Sequence, residues 1–165
     1  MNTLIRTITI MCVVFFGIVV HAQAQEEKKW VSGNSFNVSF PVGDMESIYD
    51  LGLGIYGNID YNINKVFAAR FDLGWNTFSG SDIIDPITGF SEKPKMDVWE
   101  FTAGLLAKLA FVYVEARGGY FTGVKSWGVV PAVGVRLGKF DIQGNLNIAG
   151  DNQWGSARLT YYWGG

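Results

Sequence analysis

The sequence predicts an all-β protein, an eight-stranded antiparallel up-and-down transmembrane β-barrel behind a cleaved export signal. Three observations predict it. From about residue 30 onward, apolar side chains alternate with Gly, Asn, Ser and single charges. Phe67, Ala69, Phe71, Leu73 and Trp75, for example, interleave with Arg70, Asp72, Gly74 and Asn76. Successive strand side chains point to opposite faces, so such a segment has one greasy face and one small, polar face. The chain is also 48% hydrophobic and 15% aromatic, yet past the N-terminus it holds no apolar run of the roughly 20 residues a spanning helix needs. Finally, the aromatics of the apolar face gather at strand ends.

The N-terminus reads as a signal peptide over residues 1–24. Arg6 supplies the positive region, Ile8 to Val20 the apolar run, and Ala22-Gln23-Ala24 the small-x-small cleavage site. Removing it leaves residues 25–165, one domain with a slight acidic excess. The only cysteine, Cys12, and the only histidine, His21, leave with the signal. That excludes disulfides and thiol or imidazole chemistry from the mature chain, and no basic stripe suggests nucleic acid. No cofactor or metal site is expected.

Eight strands follow in order. The first spans Trp30–Val42, with Trp30, Phe36, Val38, Phe40 and Val42 on the apolar face. The second, Tyr49–Tyr61, alternates Tyr49, Leu51, Leu53, Ile55, Ile59 and Tyr61 with polar or small residues. The third is Val66–Phe78. The fourth, Met96–Lys108, sets Trp99, Phe101, Ala103 and Leu105 against Glu100, Thr102 and Gly104. The fifth, Phe111–Thr122, sets Val112, Val114, Ala116 and Tyr120 against Tyr113, Glu115 and Arg117. The sixth is Gly128–Leu137, with Pro131 marking a bulge near its loop end. The seventh, Phe140–Ile148, alternates Phe140, Ile142, Leu146 and Ile148 with Asp141, Gln143, Asn145 and Asn147. The eighth, Trp154–Trp163, sets Ala157, Leu159, Tyr161 and Trp163 against Ser156, Arg158, Thr160 and Tyr162.

Connections after strands two, four and six are short, at Asn62–Lys65, Leu109–Ala110 and Gly138–Lys139. The other set is longer and includes Ser79–Lys95. Short turns on one side and longer loops on the other is the outer-membrane pattern, with both termini periplasmic. Gly138-Lys139 is the Gly-x dipeptide of a two-residue type II′ hairpin. It pairs Leu137 with Phe140 outside and sets Arg136 across from Asp141 inside.

Alternation alone does not say whether the apolar face meets lipid or a core; a soluble lipocalin-like barrel would bury the same parity. Two features choose lipid. Tyr49, Trp75, Trp99 and Tyr120 lie at the loop end, and Trp30, Tyr61, Phe67, Phe140 and Trp163 at the turn end. Such girdles bound an aliphatic band containing Leu53, Phe71, Leu105 and Val133, as a bilayer demands. The opposite face, mostly Gly, Ala, Ser, Thr and Asn, suits the crowded interior of a small barrel. Its charges must pair, because an unpaired buried charge is costly. They are Asp50, Asp60, Arg70, Asp72, Glu100, Glu115, Arg117, Arg136, Asp141 and Arg158, joined by Lys108 if strand four extends that far. Without histidine the set reads as a structural network rather than a catalytic array.

On these residues the chain resembles the small bacterial outer-membrane β-barrels, the OmpA/OmpX/OmpW-like group, over residues 30–165. Ala157, Leu159, Tyr161 and Trp163 look like that group's C-terminal insertion signal, although Gly164-Gly165 follows the last aromatic. The resemblance implies residence in the outer membrane of a Gram-negative bacterium. Its partners would be outer-membrane lipid and, during biogenesis, the barrel-assembly machinery. The group's lipid A deacylase, palmitoyl transferase and proteases each use a histidine, which has no counterpart here.

The expected role is therefore a non-enzymatic barrel with a filled lumen, structural in the envelope or interacting at the surface. Loop 79–95 is the candidate contact for an extracellular partner, through Ile83, Ile84, Ile87 and Phe90. A hairpin whose strands continue past the membrane and pack on themselves is the bland reading of the same loop. A porin-like transport barrel is the alternative, distinguished by conductance. A secreted soluble binding barrel, distinguished by solubility without detergent, is the third reading.

Overall fold

The computed structural model describes residues 29–80, 83–84 and 91–163. The expected signal peptide, with Ile87 and Phe90, lies outside the described residues. The strands are β1 (Trp30–Val42), β2 (Tyr49–Asn62), β3 (Phe67–Gly80), β4 (Ile83–Ile84), β5 (Ser91–Glu92), β6 (Lys95–Leu109), β7 (Val112–Phe121), β8 (Ser126–Leu137), β9 (Phe140–Ala149) and β10 (Asn152–Tyr162). A short 3-10 turn, Gly43–Ser47, joins β1 to β2.

Eight of these strands close into one antiparallel barrel in the order β1-β2-β3-β6-β7-β8-β9-β10, with β10 returning to β1. Closure removes both edges, so every strand has two ladder partners and no edge is left to recruit another chain. The remaining pair, β4 and β5, forms a separate two-stranded ladder with Ile83 opposite Glu92. The Gly80 amide donates to the Pro94 carbonyl at 2.6 Å. The hairpin of β3 and β6 therefore continues beyond the barrel.

Glycine explains how large rings fit a narrow interior. Glycines of the inward parity lie under aromatic rings from the neighbouring strand. Phe78 covers Gly52, Tyr56 covers Gly74, Tyr113 covers Gly134, and Tyr162 lies at Gly33. A Cβ on any of these glycines would fall within 3 Å of the ring. Each ring occupies space that only a missing side chain leaves open. Outward-facing Gly57 and Gly144, by contrast, have open space where a Cβ would be.

Three turns are closed by two residues; in one of them Ala149 pairs with Asn152 across Gly150, at φ 62°, so this loop-end connection is as short as the turn-end ones and not longer as expected. Leu137 pairs with Phe140 and Arg136 with Asp141. Gly138 has φ 61° while Lys139 stays out of the positive-φ region, the pattern of a II′ turn. Leu109 pairs with Val112 in the same way, and there Ala110 occupies the positive-φ position at 61°. The β2–β3 turn is instead held by Asn64, whose Oδ1 accepts from the amides of Val66 and Phe67, each at 2.8 Å.

Three further expectations are corrected. Pro131 makes no bulge. Val130 and Pro131 lack ladder partners on β9, but Val129 opposite Ile148 and Ala132 opposite Asn145 keep one unbroken register. The proline deletes pairing locally without inserting a residue. The irregularity lies elsewhere, between Tyr49 and Leu51 of β2. It leaves Asp50 exposed, outside the lumen. It also turns Tyr49 away from the loop-end girdle, to pack against Phe78 with ring centroids 6.3 Å apart.

Candidate functional site: a filled lumen inside an apolar wall

The inward parity of the eight strands builds three stacked layers. Nearest the short turns, Asp60 on β2 and Arg70 on β3 face each other across the ladder. They form a two-point ion pair, with Nε to Oδ1 at 2.7 Å and Nη2 to Oδ2 at 3.0 Å. Arg70 also reaches Glu115 on β7 at 3.1 Å. Arg136 contacts Asp60 at 2.7 Å and its cross-strand neighbour Asp141 at 3.2 Å. The Tyr162 hydroxyl accepts from Arg70 at 2.7 Å and also bonds Arg136. The Tyr113 hydroxyl donates to Asp141 at 2.7 Å, and the Gln143 amide donates to Glu115. Arg136 lies over the Tyr162 ring, 4.1 Å from its centroid. Planar guanidinium groups suit this arrangement because they bind carboxylates at two points and stack on rings.

The middle layer centres on Asp72, which takes ion pairs from Arg117 and Arg158 and a hydrogen bond from Asn58 at 2.7 Å. Arg158 lies over Tyr56, 3.8 Å from the ring centroid. Beside it, the Asn76 amide donates to both Glu100 and the Tyr56 hydroxyl. Ser35 joins Asn58 to Thr160. Lys108 donates at the rim to Asn62, 2.8 Å away.

The third layer, at the loop end, is apolar. Met45, Phe78, Val98, Phe121, Val130, Ala149 and Trp154 form one buried cluster. Trp154 is its centre, edge-on to Phe78 at 5.8 Å and to Phe121 at 5.4 Å between centroids. Met45 comes from the 3-10 turn and closes the cluster from above. Sequence reasoning assigned the inward face to small and polar residues and missed this plug. The signal was present, since Phe78, Phe121 and Trp154 continue the inward parity of their strands to the loop end.

Asp60, Arg70, Asp72, Glu100, Glu115, Arg117, Arg136, Asp141 and Arg158 all lie inside the barrel. The outer surface carries Trp30, Phe67, Trp99, Phe140 and Trp163, each about half exposed or more. Tyr61 packs on Trp30 at 4.6 Å, and Trp75 lies in register with Trp99. Tyr120 packs on Trp127 at 5.7 Å. Trp127 is a further girdle residue; β8 begins at Ser126, two residues before the expected Gly128, and aims it outward. At the turn end, the Trp163 indole N–H donates to Asn34 at 2.6 Å, satisfying the one amide on that face of β1. Ile83 and Ile84 belong to the outer ladder, while Ile87 and Phe90 fall outside the described residues. No grouping of His, Cys, Asp and Glu suited to a metal occurs among the described residues.

No protein-family model matches the chain, and no curated protein matches it in sequence. Solved structures do match. A de novo designed transmembrane β-barrel superposes with a TM-score of 0.53 at 10% identity, over 84% of this chain and 100% of that one. Ail, the attachment invasion locus protein of Yersinia pestis, superposes with a TM-score of 0.51 at 13% identity, over 84% and 100%. Ail in complex with the heparin analogue sucrose octasulfate gives 0.51 at 12% identity, over 81% and 97%. A closed eight-stranded antiparallel sheet, greasy outside and charged within, gives this chain the fold of a small transmembrane β-barrel.

Proposed function

We propose that this protein is an integral outer-membrane barrel of the OmpA/OmpX/OmpW-like group, serving a structural or surface-interaction role in a Gram-negative envelope. In this reading residues 1–24 export the chain and both termini lie in the periplasm. The last strand, ending at Trp163, engages the barrel-assembly machinery. The chain is neither an enzyme nor an open channel, and any extracellular partner meets residues 79–95.

The observation that carries the reading is the filled lumen. Two layers of ion pairs and an apolar plug leave the interior occupied by the chain's own side chains, as expected when a barrel of eight strands is used as a scaffold rather than a conduit. The continuation of the β3–β6 hairpin beyond the barrel supports the surface role, because it offers the largest projecting element at the loop end. Ail, whose name refers to attachment and invasion, has the same architecture, which is compatible with this role but does not assign it. Purified protein in planar lipid bilayers provides the test. The expected result is no steady unitary conductance; regular, reproducible steps would transfer the assignment to a porin-like transport barrel.

A further inference from the structure

The two rims of the barrel differ in charge. At the turn end Lys29 precedes β1, Lys65 lies in the β2–β3 turn, Lys108 closes β6 and Lys139 lies in the β8–β9 turn. Among the described residues no Asp or Glu shares those turns. The loop-end rim is mixed and leans acidic. Asp44, Glu46, Asp50, Asp97 and Asp151 are interspersed with Lys93, Lys95 and Lys125, and Lys95 lies 3.6 Å from Asp97.

Three of these lysines are chain neighbours of an exposed apolar residue, Lys29 of Trp30, Lys65 of Val66 and Lys139 of Phe140. Lys108 instead has the lumen parity of β6, opposite in facing to Leu109. The Lys29 ammonium stands over the Tyr61 ring, 5.3 Å from its centroid. A hydrogen bond to the Tyr61 hydroxyl raises its pKa above the ordinary lysine value, so it stays charged. Lys108 is tied to the rim by Asn62. Counting round the sheet, successive lysines are about two strands apart, roughly 10 Å. That is too far for several of them to share one small anion.

We infer that the turn-end rim is a collar for anionic phospholipid headgroups, the ammonium groups of Lys29, Lys65 and Lys139 each engaging the phosphate of a separate lipid whose acyl chains lie against the neighbouring apolar residue. A charge set directly above a greasy foot matches an amphiphile. A soluble phosphate would gain nothing from the foot. Basic residues at a bilayer surface attract anionic lipid, and long lysine stems reach the headgroup level while covering apolar surface. The collar favours placing the turn end in the leaflet richer in anionic phospholipid. The inference rests on the barrel spanning a bilayer.

The test uses the refolded chain in nanodiscs of equal phosphatidylglycerol and phosphatidylcholine, with retained lipids counted by native mass spectrometry. Phosphatidylglycerol should be enriched among retained lipids, by a factor on the order of five per lysine. The triple variant Lys29→Gln, Lys65→Gln, Lys139→Gln should abolish the enrichment. Lys93→Gln, Lys95→Gln, Lys125→Gln at the loop end should leave it intact. No enrichment in the wild type, enrichment retained without the turn-end lysines, or equal loss in the loop-end variant would overturn the collar. Retention in vesicles after a urea wash is read separately. Protein washed off would overturn the membrane-spanning reading and the collar with it; protein retained without enrichment would overturn the collar alone.

Discussion

At the β6–β7 turn an alanine does a glycine's job. Ala110 holds φ at 61°, where its Cβ crowds the backbone, while the equivalent position of the β8–β9 turn is Gly138. Ala110→Gly should therefore stabilise the protein by about 1 kcal/mol, the relief of left-handed strain less the entropy glycine adds to the unfolded chain. Equilibrium urea unfolding in lipid vesicles measures it, and a destabilised variant would count against the strain. Residue-scale geometry also decides the fate of Tyr49 and Asp50. Both were expected from strict alternation, one outside and one inside, and the irregularity in β2 reverses them.

At the scale of the strand, alternation governs almost everything, and its consequence can be measured. Leu73 lies midway along β3, outward and half exposed, between Gly57 and Phe101 in the ladder. Leu73→Arg should cost roughly 2–4 kcal/mol, because an ammonium or guanidinium near the bilayer midplane loses its water. Urea titration in vesicles gives the number, and a cost near zero would mean this face does not meet hydrocarbon. β8 shows the limit of strand-level reasoning. Pro131 removes a donor, yet the strand keeps register because pairing on both sides of the gap, and with β7 through Ala116, holds it in line. A proline in a closed sheet can be carried as a local loss of hydrogen bonds when neighbouring pairs over-determine the strand's position.

At the scale of the whole barrel, stability and closure depend on the same buried charges. Asp72 serves two guanidinium groups, Arg117 from β7 and Arg158 from β10. Asp72→Asn keeps the shape and removes the charge, leaving Arg158 without the carboxylate it pairs with and Arg117 with Glu115 alone, at 3.2 Å. The expected cost is about 3–5 kcal/mol, the usual result of breaking a buried pair from one side. A urea midpoint shifted by less than about 1 kcal/mol would show that water or other acids compensate. The layered filling also explains why loss of conductance is expected to be robust. The apolar plug around Trp154 and the two ionic layers beneath it close the lumen independently.

Most of the fold was legible in the sequence because its cause is local. A strand's side chains alternate with a period of two, so parity in the chain states facing in the sheet. Strand number, the short turns, the Gly138-Lys139 hairpin and the pairing of Arg136 with Asp141 all follow from parity and turn length. The inward placement of the buried charges was legible for the same reason. Only tertiary structure decided which charges meet. Arg70 finds Glu115 across strands β3 and β7, which are not ladder neighbours, and Arg158 finds Asp72 across β10 and β3. Closing the sheet brings residues of equal height together across the lumen, a relation no adjacent pair of strands encodes. Closure likewise gathered Phe78, Phe121 and Trp154 from three strands, with Met45 from a turn, into one plug.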